Sequence, residues 1–94
     1  MKLRIKVSKQ YKKDYKKLIQ SGRDVSKLTK VIDTLSTGKK LDAKYKDHPL
    51  KGNLQGKREC HIASDWLLLY EKDNDKLMLL LLRTGDHRRV LGIE

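Results

Sequence analysis

The stretch Arg58-Glu59-Cys60-His61-Ile62-Ala63-Ser64-Asp65-Trp66-Leu67-Leu68-Leu69-Tyr70 decides the fold. In Arg58–Ile62 the side chains alternate, with Cys60 and Ile62 on one side and Glu59 and His61 on the other. That period of two belongs to a strand. Ala63-Ser64-Asp65 reads as a turn and Trp66–Tyr70 as a second strand. Asp73-Asn74-Asp75 is a hairpin signal, because Asp and Asn side chains satisfy turn backbone locally. Leu77 to Leu82 then makes a third strand. The unbroken apolar runs mark central strands, with helices on one face and partial cover on the other.

Upstream of this block, residues 39–57 form the longest irregular stretch. Pro49 restricts His48 to extended backbone, and Gly52 and Gly56 supply turns. Long loops in small domains often carry function. Before the loop come two amphipathic segments. Tyr11, Tyr15, Leu18 and Ile19 make one helical stripe, capped by Ser8 and stopped at Gly22. Leu28, Val31, Ile32 and Leu35 make another, capped by Asp24 and ended at Gly38. At the start, Leu3, Ile5 and Val7 alternate with Lys2, Arg4 and Lys6, which predicts a strand with one apolar face. The order β-α-α-β-β-β predicts an α+β fold. A small antiparallel sheet packs against an N-terminal helical hairpin, in one domain over residues 1–94.

Charge narrows the partner. The chain carries 23 Lys+Arg against 12 Asp+Glu, for a net +11 at pH 7. Residues 1–47 hold fifteen of these cations and five of the acids, whereas residues 48–94 are almost neutral and contain all three histidines. Lysine-rich helices are often no more than solvated surface. An excess this large points to a polyanion. A single cysteine, Cys60, excludes an internal disulfide framework and a cysteine-based zinc cluster. Its place beside His61 on a strand turns it to the core rather than to a nucleophile's role. The alternating N-terminus has no apolar core of a signal peptide, and the run Leu77–Leu82 is too short to span a bilayer. A cytoplasmic protein without a membrane partner is expected.

Three short segments hold the histidines: Asp47-His48-Pro49-Leu50, Glu59-Cys60-His61-Ile62 and Thr84-Gly85-Asp86-His87. Histidine titrates near neutral pH and can take or give a proton. Metal-free RNA cleavage needs such groups: a base for the 2′-hydroxyl, an acid for the departing 5′-oxygen, and cations for charge on phosphorus. Arg58, Arg83, Arg88, Arg89 and Lys51 are candidates for the phosphate. A zinc site from His48, His61, His87 and Asp65 lacks any HExxH or Cys/His spacing. Trp66 is a core residue unless its edge lines the cleft. Taken alone, these residues describe a basic nucleic-acid binder or a metal-free ribonuclease.

Four motifs in order carry a resemblance over nearly the whole chain. They are Tyr45-Lys46-Asp47-His48-Pro49-Leu50-Lys51-Gly52, Arg58-Glu59-Cys60-His61-Ile62, Asp65-Trp66-Leu67-Leu68-Leu69-Tyr70 and Arg83-Thr84-Gly85-Asp86-His87. The chain resembles the YafQ branch of the RelE/ParE toxins of bacterial type II toxin–antitoxin systems. The resemblance implies a RelE-like fold and an mRNA interferase that cuts the codon in the ribosomal A site. It implies no cofactor and no metal. The partners it implies are the 70S ribosome, its mRNA and an acidic antitoxin of ribbon-helix-helix type, with operator DNA bound only through the toxin–antitoxin complex. His48, His61, Asp65 and His87 match the branch's acid–base residues. On this reading His48 is the base and His87 the acid, while His61 and Asp65 position the nucleotide. The branch's aromatic residue four positions after the last histidine is Leu91 here, so base contact at Leu91 or Trp66 is an open expectation. A non-catalytic RNA-binding module or a gyrase-inhibiting ParE-like toxin would use the same fold without needing these histidines.

Overall fold

The computed structural model describes residues 2–86 and 90. Strand β1 (Arg4–Val7) leads into helix α1 (Lys9–Gln20), followed by α2 (Ser26–Ser36). After short helical turns and β2 (His48–Pro49) come β3 (Arg58–Ala63), β4 (Trp66–Asp73) and β5 (Met78–Gly85). The strands form one five-stranded sheet in the order β1-β5-β4-β3-β2. The α+β class agrees with the sequence reading, but the sheet is mixed rather than antiparallel. β1 runs parallel to β5, with Arg4 opposite Met78 and Val7 opposite Leu81. The helical hairpin supplies the crossover that lets the first strand lie parallel beside the last.

Ser8 fixes the junction between sheet and helix. Its hydroxyl accepts from the Tyr11 amide at 2.9 Å and donates to the Leu82 carbonyl at 2.6 Å. One side chain thus caps α1 and ties it to β5. In α1 the buried positions are Tyr11, Asp14 and Leu18, while Ile19 is 51% exposed. The expected apolar stripe is therefore turned by part of a turn, and a carboxylate lies in the core. In α2, Leu28, Val31 and Leu35 are buried as expected. Asp24 accepts from the Ser26 amide at 3.0 Å, one position earlier than the helix boundary requires. β1 corrects another expectation: Leu3 is buried, but Ile5 and Val7 stay exposed on this edge strand.

The two faces of the sheet are covered unequally. Cys60, Ile62, Trp66, Leu68, Tyr70, Leu79 and Leu81 pack under the helices. On the opposite face Leu67 and Leu69 are buried with Val90, flanked by Leu50 and Leu82. The central strands are thus apolar on both faces, which is why they read as continuous runs.

Candidate active site

The site lies on the face away from the helices. β2 pairs with β3 so that His48 is opposite Glu59, and β3 pairs with β4 so that Glu59 is opposite Leu69 and His61 opposite Leu67. Register partners share a face, so His48, Glu59 and His61 stand together beside Leu67 and Leu69. The result is a cluster in which one buried carboxylate serves two imidazoles. Nε2 of His48 is 3.6 Å from Oε1 of Glu59, and Nε2 of His61 is 3.4 Å from the same oxygen. The Glu59 side chain is only 4% exposed, whereas His48 is 48% exposed. A buried carboxylate is retained where it has cationic or hydrogen-bonding partners. Nδ1 of His48 lies 3.2 Å from the Pro49 carbonyl. Both ring nitrogens of His48 therefore face an acceptor, Nδ1 the Pro49 carbonyl and Nε2 the Glu59 carboxylate.

The loop that carries His48 is anchored by its neighbour. Asp47 accepts from Arg58, Nε to Oδ1 at 3.4 Å and Nη2 to Oδ2 at 3.3 Å. The Tyr70 hydroxyl donates a short hydrogen bond to Oδ1 of the same carboxylate. Burial first, and then the bond to Asp47, raise the Tyr70 phenol well above its ordinary range, so it stays a donor. Arg58, expected at the phosphate, is thus paired with Asp47 while its side chain stays 36% exposed.

Arg83 also has a carboxylate partner inside the chain. Its guanidinium makes a bidentate pair with buried Asp14, at 3.1 and 3.2 Å. It joins β5 to α1, and its side chain stays 28% exposed. Trp66 is also corrected as a base contact. It is 2% exposed, its indole N–H donates to Thr84 at 2.9 Å, and the Arg23 guanidinium lies 5.1 Å from the ring centre. Lys51 is exposed just beyond β2, and Asp65 is exposed in the turn between β3 and β4. His87, Arg88, Arg89 and Leu91 lie outside the described residues. β5 ends at Gly85, which is opposite Leu67 and hence level with His61.

Glu59 was absent from the expected site. Its alternation with His61 was visible, but nothing in the sequence placed His48 across from it. A cleft of about 650 Å³ was also missed; it is lined by Lys27, Lys30, Lys44, Tyr45, Lys46 and His61, among others. The three-residue cluster bears on metal binding too. Ligand atoms of His48, Glu59 and His61 all lie within 4.8 Å of one another. Two imidazoles and a carboxylate form a donor set that fits a divalent ion such as zinc or copper.

Similarity to known proteins places this α+β domain in a class of small bacterial toxins. The family described as the bacterial toxin of type II toxin-antitoxin system, YafQ, matches residues 3–92. The mRNA interferase toxin YafQ of Escherichia coli (strain K12) is 42% identical over 89 residues, covering 94% of this chain and 95% of that protein. The crystal structure of a metal-bound toxin from Helicobacter pylori is 44% identical with a TM-score of 0.88, covering 94% of this chain and 98% of the other. YafQ in the E. coli DinJ–YafQ toxin–antitoxin complex is 35% identical with a TM-score of 0.88, covering 98% and 100%. The chain belongs to the YafQ family of type II toxin–antitoxin toxins.

Proposed function

We propose that this toxin is an mRNA interferase that cleaves message in the ribosomal A site by acid–base catalysis without a metal. The single observation that carries this reading is the convergence of His48 and His61 on the buried carboxylate of Glu59. His48 takes the 2′-hydroxyl proton, the 2′-oxygen attacks phosphorus, and the bond to the 5′-oxygen breaks. The imidazolium so formed faces Glu59, which stabilises the new charge. His87 delivers a proton to the 5′-oxygen, and His61 and Asp65 hold the nucleotide. Products carry a 2′,3′-cyclic phosphate and a 5′-hydroxyl.

His48, Glu59 and His61 would hold a divalent cation if one were bound, and it would supply positive charge for a phosphate oxygen. A cation bound there would take imidazole lone pairs at His48 and His61, so it would compete with proton uptake by His48. The partner is an acidic antitoxin of ribbon-helix-helix type whose toxin-binding segment folds on this +11 chain. Operator DNA is reached through that complex. Among the described residues no helix is long and apolar enough to cross a membrane, and a cytoplasmic site of action follows from the ribosomal target.

Primer extension on translating ribosomes tests the reading. Wild type is expected to cut within codons, while His48→Gln and His87→Ala fall by about 10²-fold or more in single turnover. Unchanged rates in both variants would remove the acid–base assignment. No cleavage by wild type would remove the interferase reading itself.

A further inference from the structure

The lysine-walled cleft has no part in the proton chemistry described above. Lys27 and Lys30 come from the first turns of α2, Lys44 and Tyr45 from the helical turn Ala43–Tyr45, and Lys46 from its C-cap. All four lysines are exposed. The third wall is β3, where His61 belongs both to this cleft and to the cluster around Glu59. Among the described residues no carboxylate lines the cleft. Two other clefts of the molecule are mixed in charge: one includes Asp42 and Asp47 and the other Glu71, Asp73 and Asp75. Lys46 also borders the cleft of Asp42 and Asp47, but Lys27, Lys30, Lys44 and Lys46 together make a concavity of one sign, an arrangement that an incoming polyanion relieves.

Lys46 adds an independent observation. Its backbone is left-handed, at φ 50° and ψ 44°, where glycine is the residue of lowest strain. A lysine here keeps a strained backbone while placing a cation on the cleft wall, and residues held in this way concentrate at functional positions.

We infer that this cleft is the binding track for the single-stranded RNA adjoining the cut, with Lys27, Lys30, Lys44 and Lys46 neutralising its phosphates. The inference rests on the proposed interferase reading and adds to it the path of the strand. RNA leaves the imidazoles on one face of β3 and passes His61 into the cleft between α2 and the Ala43–Tyr45 turn. The lysines grip backbone and not base edges, so this part of recognition is independent of codon sequence. They act on binding, and the imidazoles act on rate.

Two measurements test it separately. The first is fluorescence anisotropy of the free toxin with a 2′-O-methyl RNA decamer, which cannot be cleaved because its 2′-oxygen is blocked. Each lost phosphate contact lowers the log–log salt slope by about 0.7. Lys27→Gln/Lys30→Gln is expected to reduce the slope by about 1.4, and Lys44→Gln/Lys46→Gln likewise. The control Lys13→Gln/Lys17→Gln removes the same charge from α1 and should leave the slope unchanged. Lys46→Gly should weaken RNA binding while holding or raising the urea midpoint, so lost binding is not lost folding. The second measurement is single-turnover cleavage on ribosomes. The cleft pairs should raise the half-saturating toxin concentration with the maximal rate unchanged, whereas His48→Gln lowers the maximal rate. The inference is overturned if wild type does not bind the decamer, or if the control lowers the slope as much as the cleft pairs do. Cleft variants that keep the RNA slope but lose antitoxin affinity would also overturn it, making the cleft a protein interface. Failure of wild-type cleavage with an intact cleft effect on the decamer would sink the interferase reading and leave the RNA track standing.

Discussion

Asp14 and Arg83 are 69 residues apart in the chain, yet the guanidinium Nε lies 3.1 Å from the carboxylate, and the pair locks α1 onto the end of β5. Asp14 is 1% exposed and also accepts from the Thr84 amide and from Gln10, both at 3.2 Å. Thr84 in turn accepts from Trp66 and donates to the Leu67 carbonyl, each at 2.9 Å. A polar chain therefore runs through the core from α1 to β4, with every buried side-chain donor and acceptor partnered among the described residues. It holds the strand end from which the chain continues to His87.

Removing one half of this pair should be severe. Arg83→Met leaves a buried carboxylate without its cation, and Asp14→Leu leaves Arg83 half-buried and unpaired. Each is expected to cost about 3–5 kcal/mol in urea unfolding. The double variant Asp14→Leu/Arg83→Met should recover the part of that loss due to an unpaired charge, but not the hydrogen bond from the buried Thr84 amide. A double variant as unstable as the sum of the singles would refute the pair as the cause.

Tyr70→Phe tests the anchor of the His48 loop. It removes one hydrogen bond to Asp47 while keeping the ring, and should lower stability by about 1–2 kcal/mol. Asp47 then holds only Arg58, so His48 loses part of its fixed position. The single-turnover cleavage rate should fall several-fold with ribosome binding unchanged. A stability loss without any rate change would separate the anchor from the chemistry.

The Cys60 thiol, fully buried, is pushed up from 9.0 to about 12, first by burial and then by the nearby Asp47 and Glu59 charges. Burial likewise raises the Tyr11 phenol from 10.0 to about 12. Both groups are favoured neutral in the folded chain. Their contribution to stability is therefore complete below about pH 9, and it is lost as pH rises through 9 toward 12. Native protein at pH 8 should resist a thiol reagent, react fully in denaturant, and lose stability steeply above pH 9. Cys60→Ala should flatten that alkaline loss. Fast labelling of the native protein at pH 8 would contradict the burial.

Metal should affect cleavage in one direction only. If His48 and His61 work through their lone pairs, chelation on intact ribosomes leaves cleavage unchanged, and added zinc lowers it by occupying His48, Glu59 and His61. Glu59→Gln weakens the zinc effect. Loss of cleavage under chelation, restored by zinc, would replace the acid–base reading with a metal-dependent one.

The sequence by itself determined the two helices and the longer strands, but not β2, which lies inside the stretch it marks as irregular. Alternation in Arg58–Ile62, the apolar run Trp66–Tyr70 and the stripe Leu28, Val31, Leu35 each report a period set by local backbone geometry, and four motifs placed the chain among known toxins. Tertiary structure alone decided what those periods cannot encode. Whether β1 pairs parallel or antiparallel depends on the crossover of the helices, not on Leu3, Ile5 and Val7. Asp14 breaks the polar-outside pattern because its partner, Arg83, arrives from the far end of the chain. Glu59 became part of the site only when β2 laid His48 opposite it. For Arg58 and Arg83 the sequence shows the charge but not the carboxylate that pairs with it. Side-chain pairing over tens of residues is set by sheet register and helix packing, and those exist only once the chain has folded.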